Sequence, residues 1–381
     1  MSNSRRKFIK TSIAASIGLP LLSSSLLACT SNSDHKKLDI LILGGTSFLG
    51  PHQIAYALSR GHKVSIFTRG KTKSTIHKEV FDQVEHLIGD RENNLTALEN
   101  RNWDVVIDNS GRKVAWTKKT AELLKDSCGM YLYISSTGVY FPYKKENLDE
   151  TDSVLLKYPK DANDTFQMSY DYGIMKAKSE LAAAEAFGTD RTIVVRPTYM
   201  IGPGDKTDRF IHWPLRLADS TEIMVPGKKD DPVQFADVRD VAEWCIRLAE
   251  NKSYGTYNAV GPKDKMNVET FIREATKTFN KDYTITHIED YKFLQENGIY
   301  YIIPWILVDD YSFGSARIDN LKAKTNGLEF RSLQESIKDT YEWWRSDALT
   351  DERRNRYLNN QQTVFYREEA ILKKWREMVK A

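Results

Sequence analysis

An α/β fold built on a doubly wound parallel sheet is predicted for this chain of 381 residues, and three observations carry the prediction. First, Ile40-Leu41-Ile42-Leu43 is an apolar run of strand length. It ends in Gly44-Gly45 and leads into HQIAYALSRGH, whose helical apolar spacing stops at Gly61. Second, strands and helices alternate up to Ser135, the pattern of a parallel sheet with helices on both faces. Third, small and polar residues follow the strand ends, where ligands bind in such sheets. The expected architecture is a Rossmann-like domain over residues 39–204. A smaller C-terminal substrate-binding region over 205–345 is partly interleaved with it, and 346–381 form a helical tail.

The first turn is the strongest local signal. Between a strand and a helix, Gly44, Gly45, Thr46, Ser47, Phe48, Leu49 and Gly50 would present the helix's unpaired N–H groups to a dinucleotide pyrophosphate. Lys63 to Thr68 is the second strand. An NAD site usually ends this strand with an acid that binds the ribose hydroxyls. Here Thr68 stands at that end and Arg69 follows, and an arginine fork pairs with a 2′-phosphate. NADP is therefore expected in preference to NAD; the plainer alternative is a surface Arg in the turn before Gly70. Val84 to Leu87 is the third strand, and Asp90 after it either reaches the adenine amine or caps the next helix. Trp103 to Ile107 is the fourth, and Ser110 and Gly111 beyond its end would pass under the cofactor. A helix over 117–125 and a fifth strand over 130–135 follow.

Chemistry is expected where the fifth strand ends, at Ser135-Ser136-Thr137-Gly138-Val139-Tyr140. Tyr172 and Lys176 lie four residues apart at the start of a strongly helical stretch, 173–186, so they share a helix face. An ammonium beside a phenol favours the phenolate, which suits Tyr172 to acid/base work. Ser136 would hold the substrate oxygen against Tyr172.

These segments together resemble the extended short-chain dehydrogenase/reductase superfamily of the NAD-dependent epimerase/dehydratase type. Gly44 to Gly50 is similar to its Gly-x-x-Gly-x-x-Gly turn, Ser136 to Tyr140 to its Ser/Thr-x-x-Val-Tyr segment, and Tyr172-x-x-x-Lys176 to its catalytic pair. Arg196-Pro197 through Gly202-Pro203-Gly204-Asp205 resembles the Arg-Pro…Gly-Pro segment after strand six, and Phe235 to Ala242 is a looser match. The resemblance spans about residues 39–345 and implies that the Tyr-Lys-Ser trio passes a proton while the nicotinamide takes or gives a hydride. It further implies that Lys176 binds the nicotinamide ribose and that Tyr172 and Pro197 also touch the cofactor. Ser47 departs from the pattern, standing where the middle glycine belongs. That variant is similar to an atypical branch that includes chloroplast stem-loop RNA-binding proteins.

The first 28 residues are read as an address. Ser4-Arg5-Arg6-Lys7-Phe8-Ile9-Lys10 resembles a twin-arginine export signal. The apolar segment from Ile13 to Leu27 is broken by Gly18 and Pro20, too short for a membrane span. Leu26-Leu27-Ala28-Cys29 resembles a lipoprotein cleavage box, which would make Cys29 a lipidated first residue with 29–38 as a tether. A periplasmic lipoprotein held to the membrane only at this end is expected. The alternatives are an uncleaved anchor or a secreted protein. An exported dinucleotide enzyme is loaded before export and has no pool to exchange with, so its cofactor is expected to be tightly held and regenerated in each cycle.

Composition narrows the partners. The net charge is +3, and Arg5, Arg6, Lys7 and Lys10 supply four positive charges unopposed within residues 1–28, so the remainder carries −1. Nucleic acid is not expected of such a body. The 19 Tyr and 8 Trp suit a sugar-like ligand or a packed core. Cys128 and Cys245 read as buried hydrophobes, and no Cys/His cluster has metal-ligand spacing.

In the second half, the long polar segment 143–168 is a substrate lid or a solvated insertion. His212, Trp213 and Arg216 are candidates for substrate contact, and the aromatic stretch 295–307 for a pocket wall. Asp240 is expected to cap a helix. Residues 321–344 hold a helix ending in Trp343-Trp344, and the tail, with Tyr366, Leu372 and Trp375 as its apolar stripe, is a docking helix or a homodimer surface. The overall expectation is an NAD(P)-dependent enzyme acting on a carbohydrate-like alcohol or ketone. A non-catalytic nucleotide-binding scaffold and an RNA-binding protein are the competing readings.

Overall fold

The computed structural model describes residues 36–380. The export signal, Cys29 and most of the tether fall outside the described residues. From its first strand the chain runs β1 (Asp39–Leu43), α1 (Leu49–Ser59), β2 (Lys63–Thr68), β3 (Glu85–Ile88), β4 (Trp103–Asp108), α2 (Val114–Leu124), β5 (Cys128–Ile134), α3 (Gln167–Phe187) and β6 (Thr192–Pro197). Next come β7 (Met200–Ile201), α4 (His212–Asp219), β8 (Glu222–Pro226), β9 (Pro232–Asp237), α5 (Val238–Glu250), β10 (Gly255–Ala259), β11 (Gly261–Asn267) and α6 (Val268–Ala275). The last third holds β12 (Thr284–Ile288), α7 (Tyr291–Glu296), the hairpin β13 (Tyr301–Ile302) and β14 (Trp305–Ile306), α8 (Leu321–Thr325), α9 (Leu333–Arg345), α10 (Asp351–Leu358) and α11 (Val364–Lys380).

Seven parallel strands form the central sheet in the order β10-β6-β5-β4-β1-β2-β3. Helices α1 and α5 pack together on one face, and α2 and α3 on the other. With both faces covered, the inner strands are buried along nearly their whole length, and β6 is buried throughout. The strand order reverses between β1 and β4. The crevice above their carboxyl ends is where ligands bind in sheets of this kind.

The second region has its own core, in which Trp213, Ile223, Phe235, Phe271 and Trp305 are buried. It carries the small sheet β11-β9-β7 and the parallel pair β12-β8. Both β10 and α5 return to the main domain, since β10 extends the central sheet and α5 covers it.

Three local expectations are corrected. The helix expected over 321–344 is two helices: Gly327 takes φ +84° after α8, and Ser332 starts α9 by accepting a hydrogen bond from the Glu335 N–H. Asp237, not Asp240, caps α5 through the Arg239 N–H, while Asp240 pairs with Arg331. Burial, first among its causes, raises the Asp240 carboxyl to about 6. In the tail, Ile371, Leu372 and Trp375 pack on the second core, but Tyr366 is exposed and is no part of that stripe. The segment 143–168 is stitched to the body over its first half. The Asn147 N–H donates to the Arg317 carbonyl at 2.7 Å, Leu148 is buried, and the Leu155 N–H donates to the Val139 carbonyl at 2.7 Å. Cys128 and Cys245 are free and buried. Among the described residues no helix is long and apolar enough to cross a membrane, and no cluster of three metal-ligating side chains occurs.

Candidate functional site

The glycine turn lies at the strand-order reversal. Gly44 follows β1 with φ +94°, and a Cβ there would sit 2.7 Å from the Ser110 side chain beyond β4. Only glycine suits both the backbone angle and this approach. Across the turn, a Cβ on Gly50 would lie 2.5 Å from the Gly45 carbonyl, so the two ends of the turn touch. Thr46 is half-buried and Ser47 is exposed. Phe48 precedes α1 without a side-chain cap, so the N–H groups of Leu49 and Gly50 in its first turn have no side-chain acceptor; Pro51 has no N–H to offer. This cradle of free donors and missing Cβ atoms fits a pyrophosphate.

The other expected cofactor residues lie at or beyond the carboxyl ends of β2, β3, β4 and β6. Thr68 ends β2 and accepts from the Gly70 N–H at 3.1 Å, and Arg69 is exposed beside it. Asp90 closes a turn with Asn94 and accepts from the Glu92 N–H at 2.8 Å. It caps no helix, because the next helical turn begins only at Thr96. Gly111 is buried against Tyr133, whose hydroxyl donates to its carbonyl at 3.3 Å. Pro197 ends β6, and its carbonyl accepts from the Thr137 hydroxyl at 3.5 Å.

Ser136, Tyr172 and Lys176 come together at the carboxyl end of β5. Ser136 caps a short 3-10 turn, Thr137–Tyr140, its oxygen accepting from the Gly138 N–H at 3.1 Å. A Cβ on Gly138 would lie 3.0 Å from the Tyr172 ring and 3.3 Å from Ser136 Oγ, so the phenol and the hydroxyl flank one glycine. Tyr172 is 44% exposed and accessible to a ligand. Lys176, one turn further along α3, is buried. Its Nζ donates to the Ile134 carbonyl at 2.8 Å and lies 5.0 Å from the centre of the Tyr133 ring. Burial pulls its ammonium down to about 8, while Asp108 and Glu180 oppose that fall.

Two buried ion pairs support this end of the sheet, and sequence reasoning missed both. Asp108, at the end of β4, is taken by both terminal nitrogens of Arg91. It also accepts from the Tyr131 hydroxyl at 2.7 Å and the Ser110 N–H at 3.1 Å. Although burial opposes ionisation, Arg91 and these donors hold its carboxyl below the ordinary range. Glu180 receives Arg196 at both oxygens, at 2.9 and 2.6 Å, and the Ser135 hydroxyl. Arg196 also donates to the Tyr140 hydroxyl at 2.7 Å, and that hydroxyl donates to Asn258 at 2.8 Å. The available signal was a carboxylate ending a strand buried on both faces, which requires a partner.

The proposed substrate contacts are corrected. His212 and Trp213 are buried, and Trp213 Nε1 donates to the Ile303 carbonyl at 2.9 Å. Arg216 pairs with Glu368 of α11 at 2.7 Å, and His212 lies 3.4 Å from the same carboxylate. Burial, with Arg216 nearby, lowers the His212 imidazole to about 3. His212 and Arg216 hold the tail against α4 and Trp213 joins α4 to the hairpin; none is free for a substrate. Of the proposed pocket wall, Trp305 is buried on Asp231, while Tyr300 and Tyr301 are exposed.

Residues 40–260 match the family model described as "NAD dependent epimerase/dehydratase family". A curated relative, the chloroplast stem-loop binding protein of 41 kDa b from Arabidopsis thaliana, is 29% identical over 252 residues, 61% of this chain. The chain spans only 61% of that relative's length. A crystal structure of a putative epimerase from Burkholderia cenocepacia J2315 is 19% identical, with a TM-score of 0.58 over 80% of this chain and 97% of that one. UDP-glucuronic acid 4-epimerase from Bacillus cereus, solved with NAD, is 17% identical, with a TM-score of 0.56 over 85% of this chain and 99% of that one. UDP-N-acetylglucosamine 4-epimerase from Methanobrevibacter ruminantium M1, in complex with UDP-N-acetylmuramic acid, is 16% identical, with a TM-score of 0.59 over 81% and 98%. At these identities the likeness is one of fold.

Proposed function

Because the chain belongs to the NAD dependent epimerase/dehydratase family, we propose that it is an NAD(P)-dependent oxidoreductase or epimerase acting on a carbohydrate-like alcohol or ketone. The observation that carries this reading is the meeting of Tyr172 and Ser136 over Gly138, with Lys176 buried beneath them. A bound nicotinamide dinucleotide supplies the hydride acceptor or donor. The chain supplies the rest. The glycine turn and the first turn of α1 bind the pyrophosphate. The Ser136 oxygen is already engaged by the Gly138 N–H, so its hydroxyl proton is free for the substrate oxygen. Tyr172 takes a proton from the substrate hydroxyl or returns one to the carbonyl. The sugar-like substrate is supported by the sugar nucleotides named for the solved relatives.

The leader supports export by the twin-arginine route and tethering at Cys29, and from that follows a tightly held cofactor restored within each cycle. Native mass spectrometry of the mature protein, purified without added nucleotide, tests this reading. One dinucleotide per chain is expected. A folded protein carrying neither NAD nor NADP would overturn it.

Arg69 is the reason to prefer NADP, although NAD is the dinucleotide named for the Bacillus cereus structure. Arg69→Ala is expected to weaken NADP about 10- to 100-fold, the worth of a charged hydrogen bond, and to leave NAD unchanged. Equal effects on both in calorimetric titrations would remove the preference. A stem-loop RNA ligand rests on the Arabidopsis relative's name, and a net charge of −1 after residue 28 gives no excess of cations for phosphate contacts.

A further inference from the structure

The Glu180 cluster does more than fill space between α3 and the sheet. Tyr172, Lys176 and Glu180 occupy successive turns of α3, four residues apart, and so lie along one side of it. The last two are fastened to adjacent residues at the end of β5. Lys176 Nζ donates to the carbonyl of Ile134 at 2.8 Å, and the Ser135 hydroxyl donates to the Glu180 carboxylate. Ser136 comes next in the chain. A single carboxylate therefore fastens the strand end that carries Ser136 to the helix that carries Tyr172 and Lys176. Its remaining valence goes to Arg196 of β6 in a two-point pair, with both side chains less than a tenth exposed.

We propose that Glu180 is a positioning residue for the Tyr172–Lys176 pair: fastened by Arg196 and Ser135, its carboxylate locks the turn of α3 that follows Lys176 onto the end of β5 and sets a negative charge one turn from the lysine. This deepens the reading of Tyr172, Lys176 and Ser136 as the proton-handling groups and rests on it. Lysine at this depth is otherwise driven neutral, because the charged form loses its hydration. The charges around Lys176 come from several elements. Asp108 at the end of β4 and Glu180 on its own helix favour the ammonium; Arg112 after β4 and Arg91 after β3 disfavour it. Tyr133 of β5 offers only its ring face. Glu180 is the one of the two acids on the helix that bears Lys176. Arg196 is the counter-charge to Glu180 and screens that carboxylate, so removing Glu180 and removing Arg196 move the lysine in opposite directions.

The test is a titration of lysine side-chain nitrogen or ε-carbon resonances in the isotope-labelled protein as purified, with the Lys176 signal identified by its loss in Lys176→Arg. In the wild type, Lys176 is expected to titrate at about pH 8. A midpoint of about 5–6, the value of an unsupported buried lysine, would overturn the proposal without any variant. In Glu180→Gln the midpoint falls by about one to three pH units, and in Arg196→Met it rises. Loss of a purely structural pair lowers the melting temperature of both variants but does not split the titrations in opposite directions; midpoints that stay put, or move together, refute the positioning role. Nucleotide content by native mass spectrometry is read on the same samples. Nucleotide present with unmoved titrations retires only the role of Glu180. Nucleotide absent with titrations split as expected retires the cofactor reading and leaves the coupling standing.

Discussion

Tyr172→Phe is expected to lower turnover by about 10²–10⁴-fold, the worth of a positioned acid/base, and to leave bound nucleotide unchanged. Phenylalanine keeps the ring that lies against Gly138 and removes only the hydroxyl. The ring is 44% exposed and the tyrosine has no buried hydrogen bond to lose, so the fold is not weakened. Turnover is followed as the ultraviolet absorbance of reduced nicotinamide when a panel of hexoses, uronic acids and their keto forms is added. Nucleotide content is followed by native mass spectrometry. The outcome separates the three readings of the chain. An enzyme loses turnover and keeps its nucleotide, whereas a scaffold or an RNA-binding protein loses nothing. A variant as fast as the wild type would remove Tyr172 from the chemistry.

Arg91→Met is expected to cost about 3–5 kcal/mol of stability, the usual consequence of leaving one partner of a buried ion pair alone. Asp108 has no exposed surface, and methionine replaces the guanidinium volume without its charge. The effect has a pH signature. In the wild type the Asp108 pKa is depressed by Arg91, so its stabilisation is present above the unfolded carboxylate value of about 3.9 and is lost as pH falls through the lower folded value. In the variant, burial acts without a counter-charge and raises that pKa above the unfolded value. The penalty is then greatest at neutral pH and shrinks as the carboxyl takes up a proton. Urea unfolding of both proteins at about pH 8 and about pH 5 measures this. A difference of the same size at both would mean that Tyr131, Ser110 and Thr117, whose hydroxyl donates to Asp108 at 3.3 Å, hold the Asp108 charge without Arg91. Because Arg91 also donates to Ser110 at 3.2 Å, beside Gly44, the variant is further expected to hold nucleotide less tightly.

The elements read most readily from sequence were those whose pattern is local. The Ile40–Leu43 strand, the glycine turn and the alternation through β5 are written in short runs, and the parallel sheet follows once strands and helices alternate. The Tyr172 and Lys176 spacing was legible for the same reason, because four residues is one helical turn. Misreadings came where a local signal had two tertiary outcomes. His212, Trp213 and Arg216 are polar and aromatic residues in a short helix, a description that fits a pocket wall and a docking seam equally. Glu368, about 150 residues away in the chain, makes His212 and Arg216 a seam, and the Ile303 carbonyl takes the Trp213 indole. Similarly, Asp237 and Asp240 are both plausible caps, and the choice depends on Arg331 lying where it takes Asp240.

What the residues alone established was the fold class, the glycine turn between β1 and α1, and which side chains share a helix face with Tyr172. What only the tertiary structure decided was which charges are buried together. The pairs Arg91–Asp108 and Arg196–Glu180 join residues from separate elements, and both acids favour the buried Lys176 ammonium. Strand and helix patterns arise from a few neighbouring residues and survive in a one-dimensional reading. The cost of an unpaired charge depends on the dielectric around it, and that exists only once the chain has closed over the group.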